Sequence, residues 1–238
     1  MEKSRISAAF VFGLLFCIGL GLLGMTLSKG LIEMKALERT VVVKGLSERE
    51  VPADLAILPV KFIVAANDLN ELVANLQKKN ELVVSFLLDQ GFQREEITLS
   101  PPAIIDKQAQ AYGGDTGPFR YSGSSIISVY TNDIERVRTT QQALGELGRL
   151  GIAIMGEDYQ AKTSFIFRGL NDLKPEMIEE ATRNAREVAE KFAADSKSRL
   201  GKIKSASQGQ FSISDRDNNT PHIKRVRVVS TVTYYLSD

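Results

Sequence analysis

Apolar and polar residues alternate along parts of the chain with the period of two that a half-buried β-strand requires. The pattern is clearest just after Asp54, where one face is wholly apolar: Ala56, Leu58, Val60, Phe62 and Val64. Residues 223–236 repeat it, with Val226, Val228, Val232, Tyr234 and Leu236 on one face and Arg225, Arg227, Thr231 and Thr233 on the other. Shorter runs rich in β-formers predict strands at residues 40–45, 97–99, 121–130, 163–167 and 202–213.

Three stretches have the three- and four-residue spacing of amphipathic helices. The first has Asp68 as N-cap, Glu71 as its capping partner and Gly91 as its stop, with the face Leu69, Leu72, Val73, Leu76, Val83 and Leu87. The second runs over residues 133–147, capped by Asn132 or Asp133, with the face Ile134, Val137, Leu144 and Leu147. The third is predicted from Pro175 to near Gly201, with the stripe Ile178, Ala181, Ala185, Val188 and Phe192.

The order of these elements predicts an α+β protein. Neighbouring strands suit hairpins, and the helices fall between strand pairs, so we expect mainly antiparallel sheets packed with three helices. One further helix, at the N-terminus, precedes them.

Residues 6–27 form an uncharged apolar run between Arg5 and Lys29. As a helix the run reaches about 33 Å, enough to cross a hydrocarbon core of about 30 Å. The residues assigned to this membrane anchor are Ile6, Phe10, Leu14, Ile18, Leu22 and Leu27. We therefore expect a transmembrane signal-anchor helix in residues 1–28, a connector in residues 29–39 and a folded domain in residues 40–238.

A cleaved signal peptide is the main alternative for this segment. The apolar region of a signal peptide is normally 7–15 residues long, so the longer apolar run of this chain favours a retained anchor. Lipoprotein processing at Cys17 is disfavoured because the bulky Phe16 precedes it. Lys3 and Arg5 predict that the N-terminus stays in the cytoplasm and the domain is exported.

Charge and cysteine content narrow the function classes. Residues 29–238 carry equal numbers of basic and acidic side chains, so nucleic acid is not an expected partner. Cys17 is the only cysteine, and the predicted domain therefore has no disulfide, thiolate nucleophile or cysteine metal site.

Two segments near the start of the domain resemble the opening of the SIMPL-domain family. They are Val43-Lys44-Gly45 and Val51-Pro52-Ala53-Asp54-Leu55-Ala56, and Ala53 separates Pro52 from Asp54 where the family often has the two adjacent. The resemblance extends over residues 40–236, through the Ala-rich third helix. It implies an exported bacterial α+β domain, often oligomeric, associated with envelope integrity or oxidative-stress tolerance, and no agreed reaction. The expected location is the inner membrane, single-pass, with the domain in the periplasm, or the periplasm alone after signal cleavage.

The search for catalytic chemistry gives no candidate site. His222 is the only histidine and follows a polar turn with Asp215 and Asp217, but a lone histidine is weak support for a metal site. The acidic pairs Glu95-Glu96 and Glu179-Glu180 do not form dyads, because adjacent helical side chains diverge. Ser122, Ser124 and Ser125 lack a nucleophile's sequence context, and the Gly113–Gly117 run lacks the features of a phosphate loop. We expect no catalytic, cofactor-binding or metal-binding residues, and no enzyme.

Residues 106–118 form the one long loop, and such loops are often functional. Tyr112, Phe119 and Tyr121 are its candidate interaction residues; a plain surface excursion and the Arg225/Arg227 strand face are the alternatives. The leading hypothesis is a non-enzymatic homo-oligomeric scaffold or stress-related envelope factor. The alternative is a binding module for a small molecule or peptide in a cleft between sheet and helices.

Overall fold

The computed structural model describes residues 2–36, 39–109, 117–155 and 161–237; within the N-terminal helix, side chains are described for residues 13–31. The α-helices are α1 (Glu2–Ala36), α2 (Leu69–Asp89), α3 (Ile134–Ala143), α4 (Gly145–Arg149) and α5 (Leu170–Asp195). The strands are β1 (Thr40–Pro52), β2 (Leu55–Ala66), β3 (Ile97–Leu99), β4 (Ala103–Asp106), β5 (Tyr121–Thr131), β6 (Ser164–Ile166), β7 (Arg199–Gln208), β8 (Ser212–Asp215) and β9 (Ile223–Ser237).

The chain divides into two compact units. Unit 1 comprises Met1–Glu48, Lys174–Ser212 and Arg227–Asp238; unit 2 comprises Arg49–Leu173 and Ile213–Val226. The strands form one sheet of order β1-β9-β7, with β8 beside β9, and another of order β3-β5-β2-β6, with β4 beside β5. The helices and the antiparallel pairings confirm the predicted α+β class.

The central pair of unit 2 is β2 and β5, in register from Ala56 opposite Thr131 to Ala66 opposite Tyr121. The apolar face predicted for β2 is buried along its whole length, together with Ile127 and Val129 of β5. This face forms the main core with α2. The prediction from period-two spacing is therefore confirmed.

Helix α2 begins and ends where its sequence predicts. Asp68 Oδ1 accepts a hydrogen bond from the Glu71 amide at 2.9 Å, and Gly91 has a φ of 92°, which favours glycine. Leu72, Leu76, Val83 and Leu87 are buried, but Leu69 is exposed.

The predicted helix over residues 133–147 is two helices. Asp133 caps α3 through the Arg136 amide at 3.0 Å, as predicted. However, α3 ends at Ala143 and α4 starts at Gly145. Gly145 and Gly148 lower the helix propensity at this point, which explains why the pattern does not continue as one rod.

Helix α5, which belongs to unit 1 from Lys174 onward, differs from its prediction in both position and face. It starts at Leu170 and ends at Asp195, with Pro175 inside its second turn. The buried stripe is Met177, Ala181, Ala185, Ala189 and Ala193, whereas Val188 and Phe192 are exposed. The small residues face inward because the helix lies very close to β1.

Gly45 sets that close approach. A Cβ atom at Gly45 would lie 1.8 Å from the Ala181 carbonyl oxygen and 2.4 Å from the Ala185 nitrogen. Beside it, Asn184 Nδ2 donates to the Leu46 carbonyl at 2.8 Å, and the Ser47 hydroxyl donates to Glu180 at 2.8 Å. The strand and the helix therefore pack backbone to backbone.

The strand predicted at residues 202–213 is also two strands, β7 and β8, both paired with β9. The chain turns between them at Gly209, whose amide donates to the Val229 carbonyl at 2.8 Å. The last strand is predicted correctly: Val226, Val228, Val232 and Tyr234 are buried on one face.

Candidate functional site

Helix α1 contains the only candidate membrane span among the described residues, Gly13–Leu31, and none of it is buried. Leu14, Ile18, Leu22 and Leu27 are exposed, as is every described side chain of the span, while the side chains of Ile6 and Phe10 lie outside the described residues. The Thr26 hydroxyl donates to the carbonyls of Leu22 and Leu23 at 3.0 and 2.9 Å, so its polar group is satisfied within the helix. The helix is compatible with a membrane anchor and with a signal peptide.

The base of the long loop is clamped between β4 and β5. The Arg120 guanidinium pairs with Asp106 at 2.9 Å, and the Lys107 amide donates to the Arg120 carbonyl at 3.0 Å. The Arg120 amide in turn donates to Asn67 Oδ1 at 3.0 Å. The hydrogen bond from Arg120 lowers the pKa of Asp106 below its usual value.

The structure describes two of the three predicted loop residues, and they differ in exposure. Tyr112 lies outside the described residues. Tyr121 is half-buried against the core, with the Arg120 guanidinium 4.8 Å from its ring centroid, so it belongs to the fold as much as to a surface. Of the two that the structure describes, Phe119 is the more accessible, with 44% of its surface exposed.

Two large apolar side chains of β4, the strand that leads into the loop, are exposed as well. Ile104 and Ile105 are 40% and 47% exposed and lie opposite Gly123 and Ser122 of β5. Among the described strands, β4 pairs only with β5, so its outer edge is open. We call Ile104, Ile105 and Phe119 the loop edge.

The turn before β9 places His222 in a second, polar site of unit 2. The His222 carbonyl accepts a hydrogen bond from the Ala53 amide at 2.8 Å, and its ring meets the Phe165 ring edge-on at 6.0 Å. Burial, and then the nearby Arg138 charge, lower the pKa of His222. A cavity of about 390 Å³ opens beside it, lined by Arg138, Gln141, Gln142, Phe165, Asn218, Asn219, Pro221 and His222.

The carboxylates near His222 are occupied by local contacts. Asp217 Oδ1 accepts from the amides of Asn219 and Thr220 at 2.8 Å each, and its other oxygen accepts from the Thr220 hydroxyl and from Arg216. The Thr220 hydroxyl is the largest cause that lowers the pKa of Asp217 to about 2. Asp215 pairs with Lys224. Across the part of the chain that is described, no three His, Cys, Asp or Glu residues are placed to hold a metal ion.

Sequence reasoning missed a polar network around Asp54. Asp54 accepts hydrogen bonds from the amide and the Nε of Arg168, at 2.9 and 3.1 Å, and from the Gly169 amide at 3.2 Å. Arg168 also donates to Asn132 Oδ1 at 2.9 Å. The only signal in the sequence is the position of Asp54 within the Val51–Ala56 motif, which says nothing of its partner.

Several other polar groups that the sequence singles out make local contacts. Glu96 accepts from the Gln93 amide at 2.8 Å and caps a short 3-10 helix, while Glu179 lies 4.0 Å from Arg183. Arg227 pairs with Glu48 at 3.8 Å. Arg225 is half-buried rather than exposed and donates to the Arg216 carbonyl at 3.4 Å. The Arg225/Arg227 face is therefore not an open cationic surface.

Comparison with known proteins gives one family. Residues 41–234 match the family model SIMPL, described as "Protein of unknown function (DUF541)". The matched range is about four fifths of the chain. No curated protein matches the chain significantly.

Proposed function

The chain belongs to the SIMPL family, and from that premise we propose that it is a membrane-anchored, extracytoplasmic, non-enzymatic protein that works as an oligomeric scaffold. The observation that carries the proposal is α1. Its apolar, fully exposed span ends at Leu31, and the family domain begins ten residues later, at residue 41. An apolar span of which no part is buried between Gly13 and Leu31 finds its apolar partner in lipid.

Orientation follows from charge. Lys3 and Arg5 precede the span, so the N-terminus is retained in the cytoplasm and the domain lies in the periplasm, with the helix in the inner membrane. An envelope-protective role, in integrity or oxidative-stress tolerance, accords with the exported location.

Self-association is supported by the loop edge. Three large apolar side chains are exposed beside an open strand edge, and the loop base is fixed by the Asp106–Arg120 pair. An open strand edge that carries exposed apolar side chains is a common starting point for contact between copies. We propose that copies meet at this edge.

Two measurements test the proposal. Intact-mass measurement of the purified full-length chain shows whether the N-terminal helix is retained; loss of residues 1–28 would refute anchoring. Light scattering of the detergent-extracted chain then gives the number of copies. Deletion of residues 108–117, or Ile105→Ser with Phe119→Ser, is expected to leave monomers. An unchanged oligomer rules the loop edge out.

A control separates this effect from a general loss of apolar surface. Leu150 is also exposed in unit 2, away in sequence from the loop, and Leu150→Ser should leave the oligomer intact. If Leu150→Ser dissociates the copies equally, the loop edge is not the interface.

The cavity beside His222 supports a second candidate, binding of a small polar molecule. Its volume is at the lower end of the range for ligand sites, and Arg138, Gln141 and His222 supply hydrogen-bonding groups on its wall. Native mass spectrometry of the purified chain tests it: a co-purified small molecule that is lost in Gln141→Leu favours binding over scaffolding. An empty chain of unchanged mass counts against it.

A further inference from the structure

Strand β7 concentrates positive charge. Residues 196–214 contain Lys197, Arg199, Lys202 and Lys204 and no acidic residue, while the rest of the chain has three more acidic than basic side chains. Nine of the ten residues of β7 are exposed, and Lys197 is exposed as well. We call these four side chains the basic strand. Residues 196–214 thus have a net charge of +4, whereas the other residues of the chain sum to −3.

The basic strand starts at the end of unit 1 that follows the membrane helix. The Leu236 amide donates to the Arg39 carbonyl at 2.8 Å, and Leu236 lies opposite Leu200 of β7. The Arg39 guanidinium also donates to the Ser198 hydroxyl at 3.1 Å. Arg39 is three residues beyond Ala36, where α1 ends, so the two are separated by at most about 11 Å of chain.

Two register shifts between β7 and β9 keep Lys202 and Lys204 close to the end of the sheet that follows α1. Leu200 lies opposite Leu236 and Ser205 opposite Thr233, so five steps of β7 match three steps of β9. The extra residues bulge out of the ladder. Lys204 Nζ accordingly lies 5.6 Å from the ring centroid of Tyr235, the neighbour of Leu236.

Lys197 adds an independent observation. It has a φ of 55°, the only positive φ of a non-glycine residue in the part of the chain that is described. It ends α5 in a Schellman turn: the Ser198 amide donates to the Ala193 carbonyl at 2.8 Å, and the Lys197 amide to that of Ala194 at 3.0 Å. Glycine adopts that conformation without strain, yet the residue is a lysine. It adds one more positive charge at the end of unit 1 that follows α1.

Exposed apolar side chains accompany the cations. Ile203 is 50% exposed between Lys202 and Lys204, and Phe192, in the last turn of α5, is 56% exposed. Exposed basic and apolar side chains at neighbouring positions are the composition of segments that lie at the boundary between headgroups and acyl chains.

We propose that the basic strand, with Ile203 and Phe192, docks onto the anionic headgroups of the bilayer that holds α1. The inference rests on the anchoring proposed above. Positive charge tethered within reach of an anionic surface is attracted to it over about one Debye length. The charge of β7 and its short chain distance from the span favour this lipid surface over a soluble partner.

The test uses the full chain in nanodiscs. A Cys17→Ser background with Ser205→Cys places one dye on β7, and an acceptor dye is attached to lipid headgroups. Energy transfer is compared between discs of phosphatidylcholine alone and discs that also contain phosphatidylglycerol. We expect transfer to be roughly twofold more efficient in the anionic discs, and the difference to vanish near 1 M salt, where the Debye length is about 3 Å.

Matched variants identify the cations. Lys202→Gln with Lys204→Gln should abolish the lipid dependence, whereas Lys78→Gln with Arg149→Gln, which removes the same charge from exposed sites in unit 2, should preserve it. Equal transfer in both lipids overturns the docking proposal. Extraction of the chain from the discs at alkaline pH is scored separately, because release there refutes the anchor itself.

Discussion

Asp54 and Arg168 hold together two strand ends that are 114 residues apart in the chain. Asp54 lies just before β2 and Arg168 just after β6, and the carboxylate binds both the main chain and the guanidinium of its partner. Burial alone would raise the pKa of Asp54, but the hydrogen bonds from Arg168 and Gly169 outweigh it and lower the pKa. The ionised carboxylate thus fixes the edge strand of the sheet.

Replacement of Asp54 should release that edge. We expect Asp54→Asn to lower the free energy of unfolding by about 1–2 kcal/mol at pH 7, a value reduced for the partial exposure of the pair. Because the native pKa is depressed, this contribution is present above about pH 4 and is lost as the pH falls below it. Urea unfolding at several pH values measures the loss of stability and its dependence on pH. Asp89→Asn, on the exposed surface of α2, is the control. A difference from the parent that does not shrink in acid would contradict the mechanism.

Gly45→Ala should be among the most damaging single substitutions in unit 1. The added methyl group would overlap the Ala181 carbonyl, and neither backbone can move without disturbing the sheet or α5. We expect a loss of at least about 2 kcal/mol in the free energy of unfolding.

Gly148→Ala is the matched control for Gly45→Ala. A Cβ atom there meets nothing within 4 Å, and the position is helical. It should stabilise the protein by about 0.5–1 kcal/mol. Similar losses in both variants would show that the close packing at Gly45 is not the cause.

His222 predicts a pH dependence that no other histidine can mask, since the chain has only one. Its native pKa is below the usual 6.5, so the neutral form is favoured in the folded protein. The stability that follows from this is complete above about pH 6.5 and declines as the pH falls towards the native pKa. His222→Gln should therefore flatten the change in urea midpoint between about pH 7 and pH 5. A parental slope retained in the variant would assign the effect elsewhere.

Lys197→Gly should stabilise the fold. Glycine adopts the positive φ at this helix end without strain, so we expect the free energy of unfolding to rise by about 1 kcal/mol. The favourable interaction of the lysine charge with the negative end of the helix dipole is lost and reduces this gain. Lys197→Ala keeps the strain and removes the charge, so it should be no more stable than the parent. Thermal unfolding of the three proteins compares them; a glycine variant that melts lower would show that the turn is not strained.

The sequence was sufficient to predict the buried face of an element where that face is uniformly apolar. The face of β2 from Ala56 to Val64 and the Asp68 cap of α2 both follow from local rules. Local rules failed for α5, because large residues such as Phe192 suggest a buried stripe while the tight contact with Gly45 selects alanines. They also failed for residues 202–213, where the turn at Gly209 depends on a bond to Val229 in a later strand.

The candidate sites were less predictable than the fold. A spacing pattern locates the apolar span and the long loop, because both are continuous in sequence. The Asp54–Arg168 network and the cavity beside His222 are built from segments far apart in the chain, and no single-sequence pattern carries such pairings. The exposure of Ile104 and Ile105 depends on what covers the two faces of β4, which the sequence of the strand does not contain.

The division of the chain has a consequence for synthesis in the cell. Unit 1 needs residues 1–48, 174–212 and 227–238, so its sheet lacks a central strand until β9 has emerged. Domains commonly fold from the N-terminus as they are made. Here β1, which follows the apolar helix directly, must wait for almost the whole translation product before it finds its neighbour. The nascent protein therefore carries β1 as an unpaired strand until synthesis is nearly complete, and an unpaired strand edge is a site where chains associate wrongly.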